Sequence, residues 1–209
     1  MIAVADVLAR VGLILNDVDY VRWTKPELFG WINDAAGEIV IRRPPAGAKT
    51  AAITLVEGVS QSLPADSHLL MDVVRNLPNG RRITVAERHR LEESVPNWYG
   101  MNPSNVIRHY SYEDRNPQQF YVYPPAVAGA MVEAVIAAIP PKITEESASL
   151  ELGAEYIGPI VSYVVYRALL KDSEYANGQV AIAHFQAFSE ALGTNTQVSL
   201  DASPTRAKP

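Results

Sequence analysis

The 209-residue sequence contains no cysteine. That excludes a disulfide framework, cysteine-ligated zinc, iron–sulfur clusters and a thiol nucleophile, and it fits a reducing compartment. A glycine-rich phosphate loop is also missing: Gly12, Gly30 and Gly37 stand alone and no Gly-Lys-Ser/Thr occurs, so nucleotide binding is not expected. No Gly-x-Ser-x-Gly marks a nucleophile elbow. The histidines, His68, His89, His109 and His184, are scattered, with none at the i, i+4 spacing of a helical metal site. His184 falls on an apolar stripe and reads as a hydrogen-bonded core or interface histidine rather than a ligand. No cofactor or metal is therefore expected. Positive charge is sparse: 18 Lys and Arg face 23 Asp and Glu, a net charge of −5. Tight phosphate-driven nucleic-acid binding needs a basic footprint, so only weak or transient contact with DNA is left open. Long hydrophobic runs are absent too. The best membrane candidate, residues 157–170, is broken by Ser162, Tyr163, Tyr166 and Arg167, so no membrane association is expected. Residues 1–15 carry Asp6 and Arg10 and lack a basic leader and cleavage site, so no signal peptide is expected.

What the sequence does have is apolar periodicity. With 48% hydrophobic and 20% charged residues, a chain of this length suits one or two domains and buries roughly 70% of its unfolded surface. Val4, Val7, Leu8, Val11 and Leu15 predict a first amphipathic helix that stops near Asn16-Asp17. Thr24 is placed to cap a second helix, with Pro26 in its first turn and Glu27 at the spacing of a capping box. Its stripe is Leu28, Trp31, Ile32, Ala35, Ala36, Ile39 and Val40, and Pro44-Pro45 stop it. The longest periodic stretch, residues 153–193, reads as a helical hairpin. Its first helix carries Ile157, Ile160, Val161, Val164, Val165, Ala168 and Leu169, with Pro159 in the opening turn. Its second, from about Tyr175 to Leu192, puts Val180, Ala183, His184, Ala187, Phe188 and Ala191 on one face, and Gly193 is placed to stop it.

Between these pairs the period changes to short β-type runs. Strands are predicted at 51–56, 69–76, 81–85, 106–112, 119–123 and 130–139, with an extended piece at 61–64, a turn at Pro78-Asn79-Gly80 and a short polar helix at 86–93. Their spacing suggests an antiparallel meander. The fold expected is α+β: a four-helix bundle of two N-terminal and two C-terminal helices, residues 1–45 and 150–193, with an inserted antiparallel β-rich region at 46–149. Residues 194–209, with Val198 and Leu200 as their only sizeable apolar groups, read as an extended, flexible C-terminal arm or an unanchored chain end.

Catalytic groups do not stand out. Glu92-Glu93, Glu113-Asp114 and Glu145-Glu146 are adjacent acids in polar stretches, which are ordinarily solvated. Candidate contact residues are more numerous. Arg81 and Arg82, with Arg88, His89 and Arg90, form the most basic region, either a solvated face or a complement to an acidic partner or phosphate backbone. Trp98 and Tyr99 lie in a loop-like stretch with exposure-prone aromatics, and Tyr163, Tyr166 and Arg167 are assigned to the outer face of the hairpin, where a neighbouring chain would meet them.

Arg22 to Thr24 before a helix, Ser62 to Asp66, Leu69 to Asn76, Asn97-Trp98, Phe120 to Pro125 and Lys171 to Ala176, in that order, resemble the adaptor family of short-tailed bacteriophages over nearly the whole chain. The resemblance implies a non-enzymatic head-to-tail connector of the virion, assembled in the bacterial host cytoplasm. Its subunits form a homo-oligomeric ring, twelve-fold in that family, between the portal protein and the tail nozzle, with DNA only in transit through the lumen. It also implies that the C-terminal arm, with Val198 and Leu200, reaches onto the portal. Two other readings are a phage-tail-associated hydrolase using Glu113 and Asp114 as acid and base, and an unrelated homo-oligomeric scaffold protein.

Overall fold

The computed structural model describes residues 1–113, 115–171 and 178–202, with side chains described as far as residue 193. Among these are five helices: α1 (Val4–Leu15), α2 (Lys25–Arg42), α3 (Arg88–Ser94), α4 (Ile157–Lys171) and α5 (Gly178–Ala202). Nine strands accompany them: β1 (Ile2–Ala3), β2 (Ala48–Thr54), β3 (Gly58–Ser62), β4 (Ser67–Asn76), β5 (Thr84–Val85), β6 (His109–Tyr112), β7 (Gln119–Ala126), β8 (Met131–Ala138) and β9 (Ser149–Leu150). The chain divides into two compact units, one of Met1–Ala46 with Pro140–Pro209, the other of Gly47–Ile139.

In the first unit α4 is the hub. Ile160, Val161, Tyr163, Val164, Val165 and Ala168 are buried and cover most of its circumference, the pattern of a helix surrounded by partners. Helices α1, α2 and α5 all pack on it. The stripe predicted for α2 is buried along its whole length, as is that of α1 through Val11. The expectation of a four-helix bundle is nonetheless overturned: the described residues form an α+β fold of five helices and nine strands in three sheets. A bundle asks each helix to turn one stripe inward, whereas α4 buries several faces at once. Strands β1 and β9 pair antiparallel beside α1, and the Val4 N–H donates to Ala148 O at 3.1 Å. Asn33 on α2 clasps the backbone of Ile143, its Nδ2 donating to the carbonyl (2.9 Å) and its Oδ1 accepting the N–H (2.8 Å).

The α1–α2 connection is held by the side chain of Asp17, which the sequence reading placed at the turn without assigning it this role. The Asp17 carboxylate accepts the N–H groups of Val21 (3.0 Å), Arg22 (3.1 Å) and Trp23 (3.0 Å). The loop lies so close to α1 that a Cβ at Gly12 would stand 3.3 Å from Asp17 O. Trp23 then turns inward, its indole N–H donating to Ala168 O at 3.3 Å. Thr24 is the N-cap of α2 but makes no side-chain cap bond, and Glu27 pairs with Lys171 at 2.5 Å, so the predicted capping box is not formed. Burial acts to raise the Asp17 pKa, but the three backbone donors outweigh it and hold the carboxyl below its usual range. A depressed carboxylate contributes stability above its unfolded pKa, near 3.8, and loses it as pH falls through the lower folded value. Asp17→Asn should therefore cost about 1 kcal/mol at neutral pH, at the modest end because solvent screens the group. The difference between the melting temperatures of wild type and variant should close below about pH 4; a gap that persists there unchanged would contradict the assignment.

The second unit is built of two sheets. One has the order β2-β8-β4, the other β3-β7-β6-β5. This corrects the predicted meander: β8 pairs with both β2 and β4, and β5 runs parallel to β6. Alternating Val132, Ala134 and Ile136 from β8 meet Phe120 and Val122 from β7 in one shared core with Leu55, Leu70 and Ile107. The predicted turn at Pro78-Asn79-Gly80 is present, with Gly80 at φ +68°. On the opposite face of β7, Tyr121 and Tyr123 pack with Val59, Leu91 and Trp98 under α3 and the 98–100 turn.

Candidate partner-binding surfaces

Each sequence-predicted contact residue was placed by its local structure. Tyr163 is not on an outer face. It is buried between α4 and α5, its ring 5.1 Å from that of Phe188, and Arg167 donates to its hydroxyl at 3.3 Å. Tyr166 is half-buried, 4.9 Å from Phe185. Arg167 reaches Asp34 on α2 at 3.6 Å. Tyr166 and Arg167, with Glu27, Trp31, Leu170 and Lys171, line an open cleft of about 510 Å³ between α2 and α4. The three residues are thus brought together, but one serves the interior and two a groove.

Trp98 is also interior. It is fully buried, its ring 4.5 Å from Tyr99 and 6.1 Å from Tyr123. Tyr99 remains exposed and donates to Glu92 at 2.6 Å; burial first, then this bond to the carboxylate, pushes its phenol pKa up. The basic region splits in two. Around α3, Arg88 pairs with Glu92 (3.4 Å) and Glu113 (3.2 Å), and Arg90 with Glu87 (2.9 Å). Arg81 and Arg82 lie apart from these pairs, exposed at the end of the turn. Val198 and Leu200 fall where the α5 backbone continues past Gly193, so the helix does not stop there; their side chains and residues 203–209 lie outside the described residues.

The sequence reading missed an aliphatic group at the end of α1. Leu13 (72% exposed) and Ile14 project from the last turn, and Val18 and Val21 (82%) from the loop that Asp17 holds. The signal was present as two adjacent aliphatic residues off the buried stripe of α1.

Acid–base chemistry finds little support in the geometry. Glu113 is engaged by Arg88, and Asp114 lies outside the described residues. Among the described residues the carboxyls whose pKa values move, Asp17, Asp66 and Glu133, all move down, held ionised by backbone donors, Lys49 and Arg75 respectively. A general acid needs the opposite shift. Among the described residues no group of three or more His, Asp or Glu side chains is arranged to hold a metal, and no helix is long and apolar enough to cross a membrane.

The sequence profile of the SU10 adaptor protein family matches residues 2–208. The chain belongs to the SU10 adaptor protein family. Membership of this family makes it a structural adaptor protein of a bacteriophage and a component of the virion. Comparison with curated proteins returned no match. Among the described residues of this SU10 adaptor, the groove between α2 and α4, the aliphatic end of α1 and the exposed arginines are surfaces open to a partner.

Proposed function

We propose that this SU10 adaptor forms a closed ring at the head-to-tail junction, between the portal protein and the tail nozzle, and that DNA passes through its lumen. The observation that carries the reading is the family match over residues 2–208, which embraces both compact units and the C-terminal segment. Two features are in keeping with it. Large aliphatic side chains stand exposed at the end of α1, and groups of that kind in contiguous array mark protein contacts. The chain's surplus of acid suits a conduit, since a strongly basic wall would retain phosphates by counterion release. A closed ring larger than a dimer uses two different surfaces of each subunit. The C-terminal segment, residues 194–209, is the proposed portal-binding arm, carrying Val198 and Leu200.

The test is co-sedimentation with the portal ring of the same virion. The full chain should travel with the portal, and a chain ending at residue 193 should remain folded by circular dichroism yet stay behind. Undiminished portal binding by the shortened chain would overturn the role of the arm, and a full chain that never co-sediments would overturn the connector reading itself.

A further inference from the structure

Many lysines and arginines of the described structure are engaged by a carboxylate of their own unit, as in the Lys25–Glu146, Lys49–Asp66 and Arg75–Glu133 pairs. Arg81, Arg82 and Arg108 are not. All three are exposed, and none makes an ion pair with a described residue.

Arg81 and Arg82 are adjacent and Arg108 lies in a later segment, and a buried asparagine ties the two segments together. Asn76 is 1% exposed. Its Nδ2 donates to Arg81 O (3.0 Å) and Ile107 O (2.8 Å), and its Oδ1 accepts the Ile107 N–H (2.8 Å). Its own N–H donates to Arg81 O at 2.8 Å. Arg82 forms a β-bridge with Arg75, and the Thr84 N–H donates to Arg108 O at 3.1 Å. The backbone carrying the three guanidinium groups is therefore fixed on one end of the second unit. Exposed like charges carried on neighbouring rigid segments raise the local positive potential, and an anion from outside is drawn to it.

We propose that Arg81, Arg82 and Arg108 form a contact site for the phosphate backbone of duplex DNA. A guanidinium fork matches a phosphate's oxygens, and each phosphate held releases condensed counterions. The arginines lie beside the two-residue strand β5 and before β6, not on a helix able to enter a groove, so the contact is to backbone and independent of sequence. Local charge permits it: residues 47–139 hold eight basic and nine acidic residues, so most of the chain's acid surplus lies elsewhere. Its strength stays low because the chain as a whole repels phosphate. The inference rests on the connector reading only for the source of the DNA; the site itself is defined by the three arginines.

The test is fluorescence anisotropy of a labelled mixed-sequence duplex with the full chain, titrated with salt from about 20 mM upward. The variants are R81Q/R82Q/R108Q, the charge-keeping R81K/R82K/R108K, and R90Q as a paired-arginine control. The wild-type chain should bind with a steep salt slope. The glutamine variant should bind at least about tenfold more weakly, with the slope reduced by about 2.7, and the lysine variant and R90Q should stay close to wild type. The inference is overturned if the wild type does not bind at the lowest salt, if the glutamine variant keeps the wild-type slope, or if labelled poly-L-glutamate is bound in preference to the duplex. The outcome is separable from the connector reading, which portal co-sedimentation of the same glutamine variant tests independently.

Discussion

Replacing Trp98 with alanine is expected to destabilise the second compact unit by about 3–5 kcal/mol. The indole is fully buried and is the largest side chain of the cluster it shares with Val59 and Leu91, with Tyr121 and Tyr123 packed against them. The 98–100 turn and α3 cover that face of β7, so removing the ring empties the space between them. Trp98→Phe keeps much of the volume and should cost well under half as much. Urea titration followed by far-ultraviolet circular dichroism measures both. An alanine variant as stable as wild type would mean that the turn lies off the sheet and that Trp98 is a surface residue, as its loop-like sequence suggested.

A comparable loss, about 3–5 kcal/mol, is expected for Phe188→Ala. This ring is fully buried and lies 5.1 Å from Tyr163 and 6.3 Å from Phe185, with the Arg42 guanidinium 5.3 Å from its centroid. Ala187, one residue earlier, is exposed, and Ala187→Glu should fall within about 0.5 kcal/mol of wild type. The pair tests the rotation of α5 about its axis. The reverse ranking, with Ala187→Glu the more damaging, would place the alanine face inward.

Those two positions also show where the sequence was opaque. For α2 the buried face was legible but for Phe29, because bulky Leu28, Trp31, Ile32 and Ile39 all lie on one stripe. For α5 the predicted face of Val180, Ala183, His184, Ala187, Phe188 and Ala191 was right at Phe188 but consisted otherwise mostly of small residues. The buried face is rotated from that stripe about Phe188: Ala181, Phe188 and Leu192 are buried, and Ala183 and Ala187 are exposed. Periodicity weighs an alanine like a phenylalanine, whereas the area removed from water does not. Strand positions were largely legible from alternation, as at Phe120-Tyr121-Val122-Tyr123, but the partners were not. Alternation fixes which face a residue takes and is silent about which strand lies beside it, so β8 between β2 and β4, and β5 parallel to β6, had no local signal.

The bundle expected from the four long helices failed for a related reason. Buried Val161 and Val165 lie on a different side of α4 from buried Tyr163, and a helix with so wide an apolar face gathers several neighbours instead of offering one seam. The contact residues were mixed in outcome. Tyr166 and Arg167 do line an open groove, Tyr99 and the Arg81-Arg82 pair are exposed, and Tyr163 and Trp98 turned out to be packing residues. The aliphatic end of α1 escaped because a stripe analysis discards whatever lies off the stripe. Asp17 was legible as a turn residue but its clasp was not, because hydrogen bonds donated to a carboxylate by backbone N–H groups five and six residues on leave no periodic trace.

The most direct test of the connector reading is electron cryo-microscopy of the full chain mixed with the portal ring of its virion. The account predicts a second ring, made of this chain, stacked coaxially on the portal with an open central channel. Bare portal rings beside isolated monomers of the chain would contradict it.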